Sequence, residues 1–190
     1  HPAHILHQDG DVKGYWNKQV MRFDLTRAKN QSEFREIILP NRHLHVIQNS
    51  GELYDWIQRA KNQIPAVDIE AKQCVPICIG LSVNPSEGIT IPLWNSSIGD
   101  NDLASMWILL SKYLCSTSVI GQNFGYDRDK IKRLGFTIKS LYSDTMLKAF
   151  CINPELPKNL AFNTSIYTEE PYYKDEGMYE GDIRDLLLGC

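Results

Sequence analysis

Apolar and polar side chains alternate most clearly along residues 66–70. Side chains at alternate positions of a strand point to the same face of its sheet. Val67 and Ile69 are therefore expected to face a core, while Asp68 and Glu70 project together from the opposite face. The pattern predicts a strand with one buried face and two neighbouring carboxylates on the other.

Similar patterns predict the elements around this strand. Short apolar runs bounded by turn residues indicate further strands at 44–47, 77–83, 89–93, 118–121 and 136–141. Apolar residues at helical spacing indicate helices over 49–60, 102–114 and 144–150, and one that begins near 123. A hairpin-like run of strands followed by strands that alternate with helices predicts an α/β protein with a mixed sheet flanked by helices.

Two polar residues are expected to begin helices. Asn49 is followed three residues later by Glu52, which is typical of a capping box. Asp144 lies just before a helical pattern, so it is expected to cap that helix with its carboxylate.

Residues 1–43 are polar and show few clean periods, with possible short strands or packing segments at 23–25 and 37–39. We interpret 1–43 as an N-terminal extension and 44–190 as one domain. His43 and His45 alternate, which a half-exposed strand explains more simply than a metal site. Because the chain begins at His1 without a charged and then apolar leader, we expect a fragment or a processed piece of a longer protein.

Composition narrows the class of protein. The 190 residues are 43% hydrophobic and 23% charged, as in ordinary globular proteins, and no apolar run is long enough for a membrane helix. A net charge of −3 argues against coating long nucleic acid, but it does not exclude gripping a strand end. The five scattered cysteines predict reduced thiols in an intracellular compartment.

A third carboxylate lies on an apolar stripe. On a helix that begins near Asn123, one face carries Phe124, Asp127, Ile131 and Leu134. The polar side of the same helix is expected to carry Arg128, Asp129, Lys130, Lys132 and Arg133. An aspartate in the apolar phase indicates a functional site more than a solvated surface position.

Three inward carboxylates would repel one another strongly unless cations lie between them. Divalent metals are the usual remedy, and carboxylate-bound divalent metals are typical of phosphodiester chemistry. For Asp68 and Glu70 alone, a strand-end pair that touches water or a basic neighbour remains an alternative.

The motif Asp68-Ile69-Glu70 followed by Asn123-x-x-x-Asp127 resembles the first two motifs of the DEDD-type 3′→5′ exonucleases, in particular the proofreading domain of family A DNA polymerases. Segments 154–158 and 167–177 are similar to phage members of that family. The resemblance covers roughly residues 44–190 and implies a ribonuclease H-like fold.

The resemblance also implies a set of site residues. Two Mg²⁺ or Mn²⁺ ions would be bound by Asp68, Glu70, Asp127 and Asp185, and these four acids would be catalytic. Asn123 and Tyr126 would lie near the 3′-terminal nucleotide. The third motif departs from the family, because Gly181 stands at the position of the water-orienting tyrosine. Asp182 is the rival for the fourth acid.

The function that this resemblance implies is removal of nucleotides from single-stranded DNA 3′ ends, as proofreading for a polymerase domain that is fused or separate. The partners would be the DNA 3′ end and that polymerase, with no membrane, in an intracellular, phage or organellar replication machinery. The alternatives are an RNA-trimming exonuclease of the same superfamily and a catalytically weakened nucleic-acid-binding module.

Overall fold

The structure is a computed structural model that describes residues 12–32, 41–72, 74–95, 97–168 and 170. The sequence predictions for Gly181, Asp182 and Asp185 therefore lie outside the described residues. In chain order the elements are α1 (Val12–Gln31), β1 (His43–Val46), α2 (Ser50–Ala60), β2 (Ala66–Lys72), β3 (Val75–Asn84), β4 (Glu87–Pro92), α3 (Asp100–Ser116), β5 (Ser118–Gly121), α4 (Gly125–Arg133), β6 (Ser140–Asp144), α5 (Thr145–Ile152) and α6 (Leu160–Tyr167).

The described chain divides into two compact units. The sheet unit contains the described residues from 41 to 145, and the helical unit contains those of 12–32 and from 146 onward. Within the helical unit, the Arg27 guanidinium donates hydrogen bonds to the backbone carbonyls of Ile166 and Thr168. The extension predicted for 1–43 stays a prediction. The possible short strand at 23–25 was wrong, since these residues lie inside α1.

The sheet unit is built on one mixed six-stranded sheet with the order β1-β4-β3-β2-β5-β6. β3 runs antiparallel to both of its neighbours, β2 and β4, whereas β2–β5, β5–β6 and β1–β4 are parallel pairs. β2 thus lies at the junction between the antiparallel hairpins and the parallel strands. The predicted mixed sheet with flanking helices is confirmed.

The core of the sheet unit is formed by the apolar faces of strands and helices. Val67 and Ile69 of β2 belong to the same buried cluster as Trp56 of α2 and Leu110 of α3. Trp56 and Leu110 are 1% and 0% exposed, and burial of one such side chain contributes about 1.5–3 kcal/mol. The predicted inward phase of β2 is confirmed, and it leaves the carboxylates on the other face.

The predicted capping box at the start of α2 is present in a modified form. The Asn49 side-chain oxygen accepts from the backbone N–H of Glu52 at 3.0 Å. The Glu52 carboxylate accepts from the backbone N–H of Gln48 at 2.9 Å and from the Asn49 amide at 2.9 Å. The reciprocal bond therefore reaches one residue further back than in the usual motif.

The strand predicted at 136–141 begins later than expected. β6 begins at Ser140, after Gly135 has ended the α4 turn with a φ of +82°. Phe136 is 6% exposed, and its ring centroid lies 5.1 Å from that of Trp107. The apolar residue fills the core from a loop, so the pattern indicated burial correctly but placed the strand wrongly.

No helix among the described residues is both long enough and apolar enough to cross a lipid bilayer.

Candidate functional site

The two carboxylates of β2 lie together on its solvent-facing side. Asp68 and Glu70 are exposed, while the alternating Val67 and Ile69 are 4% and 5% exposed. Burial of the two apolar side chains fixes the register, because a slip by one residue would turn both acids into the core. The core therefore determines where these carboxylates point.

Asp127 approaches β2 from α4. It is 5% exposed and shares its helix face with Phe124 and Ile131, which are 2% and 1% exposed. α4 follows β5, the parallel neighbour of β2, and contacts β2 itself. The predicted apolar stripe with one buried aspartate is confirmed.

Charge coupling ties the three acids together. Burial, and then the charges of Asp68 and Glu70, raise the pKa of Asp127 to about 6, although a hydrogen bond from the Ile69 backbone opposes the shift. Partial burial and the Asp68 charge also raise the pKa of Glu70. We call Asp68, Glu70 and Asp127 the carboxylate cluster; Asp68 lies close enough to disfavour the ionised forms of Glu70 and Asp127.

Cys78 is a neighbour of this cluster that sequence reasoning missed. It is the direct cross-strand partner of Glu70 in the β2–β3 hairpin, so the two side chains share one face. Burial, followed by the Glu70 charge, raises the pKa of the Cys78 thiol to about 11. The thiol is therefore protonated at neutral pH. The hairpin register, once assigned, would have revealed it.

Lys130 does not lie on the wet side of α4 as predicted. It is 6% exposed, its ammonium donates to the Cys74 carbonyl at 3.3 Å, and it lies 5.0 Å from the centroid of the Tyr126 ring. Arg128 and Lys132 are exposed as expected. The long side chain of Lys130 reaches the β2–β3 connection, a tertiary contact that helical phase alone does not predict.

Asp144 lies at the end of β6 and binds the loop before α4. Its two carboxylate oxygens accept from the backbone N–H groups of Asn123 and Phe124, at 3.1 and 2.9 Å. It lies opposite Gly121 in the parallel β5–β6 pair. The predicted capping role stays a prediction, and β6 places the carboxylate against the loop before α4 as well.

The structure thus places the predicted site residues as follows. Asp68, Glu70 and Asp127 are brought together. Asn123 is exposed in the loop before α4, and Tyr126, in the first turn of α4, is 52% exposed. Asp185 lies outside the described residues. Among the described residues, no group of three or more His, Cys, Asp and Glu side chains is arranged to hold a metal ion.

The donor chemistry of the carboxylate cluster nevertheless fits hard divalent cations. Mg²⁺ and Mn²⁺ prefer oxygen ligands, and the cluster offers only carboxylate oxygens. The Asp68 charge raises the pKa of Glu70 and of Asp127, and a nearby cation would offset that repulsion.

The chain matches no protein-family model and no curated protein sequence. Its fold is similar to that of several solved structures. A structure described as the POL domain of Pol1 from M. smegmatis, in complex with DNA primer-template and dNTP, is 16% identical with a TM-score of 0.54. A protein from Bifidobacterium adolescentis is 16% identical with a TM-score of 0.52. Brucella melitensis NrnC with bound Mg²⁺ is 11% identical with a TM-score of 0.44.

These similarities cover different shares of the chains. The alignment covers 66% of this chain and 22% of the Pol1 chain, and 78% of this chain and 36% of the Bifidobacterium chain. For NrnC it covers 80% of this chain and 72% of that chain. The mixed α/β sheet flanked by helices that the sequence predicted is confirmed.

Proposed function

We propose that this chain is a metal-dependent 3′→5′ exonuclease domain that removes nucleotides from single-stranded DNA ends and proofreads for a DNA polymerase. One observation carries the proposal: Asp127 reaches the two β2 acids from a separate element, and burial together with their charges raises its pKa to about 6. Structural acids are normally placed beside donors. Three acids that face one another fit a cation site.

Asp68, Glu70 and Asp127 are the described residues that would hold the metal, with Asp185 as the proposed fourth ligand. Two bound Mg²⁺ or Mn²⁺ ions would supply a water of lowered pKa and neutralise charge on the scissile phosphate. The chain's own contribution is to hold these carboxylates together, two on one face of β2 and one on α4. The half-buried thiol of Cys78 keeps its proton, so it adds no further negative charge beside Glu70.

Asn123 and Tyr126 are proposed to contact the terminal nucleotide. Both are exposed, and both belong to the segment that carries Asp127. Lys130 lies over the Tyr126 ring, which holds a positive charge next to an exposed aromatic surface. Aromatic stacking binds bases with little sequence preference, as a proofreading site requires.

The DNA substrate and the polymerase partner are supported by the fold shared with the Pol1 chain, which was solved with a DNA primer-template. The alignment covers 22% of the Pol1 chain, and a polymerase region, fused or separate, is therefore part of the proposal. An intracellular replication machinery, including that of a phage or an organelle, is the proposed location.

The test uses a single-stranded DNA oligonucleotide labelled at its 5′ end, incubated with the protein in Mg²⁺, in Mn²⁺ or in EDTA. We expect a ladder of products shortened from the 3′ end in either metal and intact strand in EDTA. An RNA of the same sequence is run beside it. Faster shortening of RNA would replace the DNA assignment with an RNA-trimming one.

Asp129→Asn provides a control for the loss of one carboxylate charge outside the carboxylate cluster, because Asp129 is exposed on α4. It should shorten DNA like the unchanged protein. Binding of the oligonucleotide without shortening in either metal would contradict the enzyme and favour a nucleic-acid-binding module.

A further inference from the structure

We propose that Asp144 is a positioning residue for this site: its carboxylate holds the backbone of Asn123 and Phe124, and thereby sets where Asn123 and Asp127 lie. The inference rests on the proposed function and adds a residue to its machinery. Asp144 does not touch the reacting atoms; it acts through the loop that precedes α4.

Both carboxylate oxygens of Asp144 are used by neighbouring backbone groups. Oδ1 accepts from the Asn123 N–H at 3.1 Å, and Oδ2 accepts from the Phe124 N–H at 2.9 Å. Asp144 is 7% exposed, so these bonds are shielded from water. A buried carboxylate with two backbone donors is a strong local constraint.

The loop that Asp144 holds adopts a conformation that needs support. Asn123 has a φ of +54°, in the left-handed region that non-glycine residues seldom occupy. Outside glycine, such a residue persists where its surroundings determine it. The Asp144 carboxylate supplies that determination, because it binds the N–H of Asn123 and the N–H of the next residue.

The same loop also makes contacts with Gly121 of β5 and Thr145 of α5. A Cβ built on Gly121 would lie 2.4 Å from the Phe124 ring, so the loop backbone and that ring are in close contact. The Thr145 hydroxyl donates to the side-chain oxygen of Gln122, and it lies 3.4 Å from the Gly121 carbonyl oxygen. Two consecutive residues, Asp144 at the end of β6 and Thr145 at the start of α5, therefore form hydrogen bonds with the loop before α4.

Asn123 and Phe124 are in turn hydrogen-bonded to the first turn of α4. The Phe124 carbonyl accepts from the Arg128 N–H at 2.9 Å, and the Asn123 carbonyl accepts from the Tyr126 N–H at 3.1 Å. Asp127 lies within this first turn. A shift of Asn123 and Phe124 would therefore move Asp127 relative to the β2 acids, which belong to a different element.

The discriminating variant is Asp144→Asn. It keeps the size of the side chain but offers one acceptor oxygen where two N–H groups need acceptors, and its NH₂ would face a donor. We expect kcat for shortening of the DNA strand to fall about 10–100-fold, as for outer partners of metal ligands, and the Mg²⁺ concentration for half-maximal rate to rise. Asp129→Asn is the matched control and should change neither quantity.

Backbone amides give a second readout that does not depend on turnover. In the unchanged protein, the Asn123 N–H should exchange slowly with solvent although its residue is exposed, and the NMR signals of the Asn123 and Phe124 amides should shift in Asp144→Asn. This measurement needs no metal and no substrate. Fast exchange of the Asn123 amide in the unchanged protein would overturn the inference, even if Asp144→Asn did not fold.

The two proposals fail in different ways. Unchanged kcat and Mg²⁺ requirement in a folded Asp144→Asn protein would overturn the positioning role while the exonuclease stands. If the unchanged protein shortens no strand, the exonuclease proposal fails, and the amides still decide whether Asp144 holds the loop. A loss of activity in Asp144→Asn with unmoved Asn123 and Phe124 amides would also contradict positioning.

Discussion

Two groups of acidic residues in the sheet unit behave in opposite ways. At the start of α2, hydrogen bonds from the Gln48 backbone and the His45 ring lower the pKa of Glu52, and bonds from Ser50 lower that of Asp102. In the carboxylate cluster on β2 and α4, burial and neighbouring charges raise the pKa of Glu70 and Asp127. We call the first group the cap cluster.

The difference lies in what each carboxylate faces. Glu52 accepts hydrogen bonds from the Gln48 N–H, the Asn49 amide and the His45 ring, each at 2.9 Å. These donors stabilise its ionised form. Asp127 also accepts backbone hydrogen bonds, but its burial and the charges of Asp68 and Glu70 outweigh them. A lowered pKa thus accompanies an acid that donors stabilise, and a raised one accompanies the acids for which we propose a catalytic role.

Removing a member of the carboxylate cluster should have the largest effect. We expect Asp68→Ala and Asp127→Asn each to slow DNA shortening by at least about 10²-fold, since both remove a proposed metal ligand. Neither should destabilise the metal-free protein, because one charge leaves a repelling group. Rates come from the labelled-strand assay and folding from circular dichroism. Activity like that of the unchanged protein in Asp68→Ala would end the metal assignment.

Divalent metal should stabilise the protein through the same cluster. A ligand that binds only the folded state adds about 2.7 kcal/mol at a concentration 100 times its Kd. We expect Mg²⁺ or Mn²⁺ to raise Tm at pH 7.5 in the unchanged protein and in Glu52→Gln, but much less in Asp68→Ala. Scanning calorimetry with and without EDTA measures this. An equal rise in Asp68→Ala would place the metal elsewhere.

The pH dependence of stability should have opposite signs in the two clusters. The folded-state pKa of Asp127, about 6, lies above its ordinary value of 3.8, so the folded state binds the proton more tightly. Its contribution to stability in EDTA should therefore fall as pH rises from about 4 to about 6, and stay low above that. Asp127→Asn should lack this fall and melt about 2–4 °C higher at pH 7.5.

For Glu52 the folded-state pKa lies below its ordinary value of 4.5. Its stabilising contribution should be present above that pH and be lost as pH falls through the lowered value. Glu52→Gln should therefore be less stable than the unchanged protein at pH 7 and approach it in acid. Melting curves from pH 3 to 8 test both signs, and curves that stay parallel for either variant would contradict the assignment of that acid.

The smallest effect on activity is expected from Asn49, which binds Glu52 of the cap cluster. Asn49→Ala removes the oxygen that accepts from the Glu52 N–H at 3.0 Å, so it should cost about 1 kcal/mol of unfolding free energy. Shortening of DNA should be unchanged, because α2 does not carry a site residue. Urea denaturation and the strand assay measure the two quantities. A large loss of activity at unchanged stability would contradict the assignment of the cap cluster to stability alone.

Local pattern was sufficient for much of this molecule. The alternation along β2 fixed which side chains are buried, because a strand repeats every two residues. The helical phase of Phe124, Asp127 and Ile131 showed correctly that an aspartate lies on a buried stripe. The roles assigned to Asn123, Tyr126 and Asp185 came from a family resemblance and stay predictions.

Errors arose where a side chain is used by a distant segment. Lys130 has a polar phase on α4, yet it is buried against the Cys74 carbonyl from the β2–β3 connection. Phe136 has a strand-like pattern, yet it fills the core from a loop. The position of Asp144 before a helix gave no sign that its carboxylate also binds the backbone of Asn123 and Phe124. In each case a partner from another part of the chain outweighs local propensity.

The order of residues along the chain was enough to decide that Asp68 and Glu70 share a face and that Asp127 turns inward, since backbone geometry sets these directions over a few residues. Only the folded sheet decided that the acids meet and that Cys78 stands beside Glu70. It also decided that Asp144 secures the loop before α4. Parallel pairing of β5 with β2 and β6 brings those segments together, and such pairing depends on contacts between residues far apart in sequence.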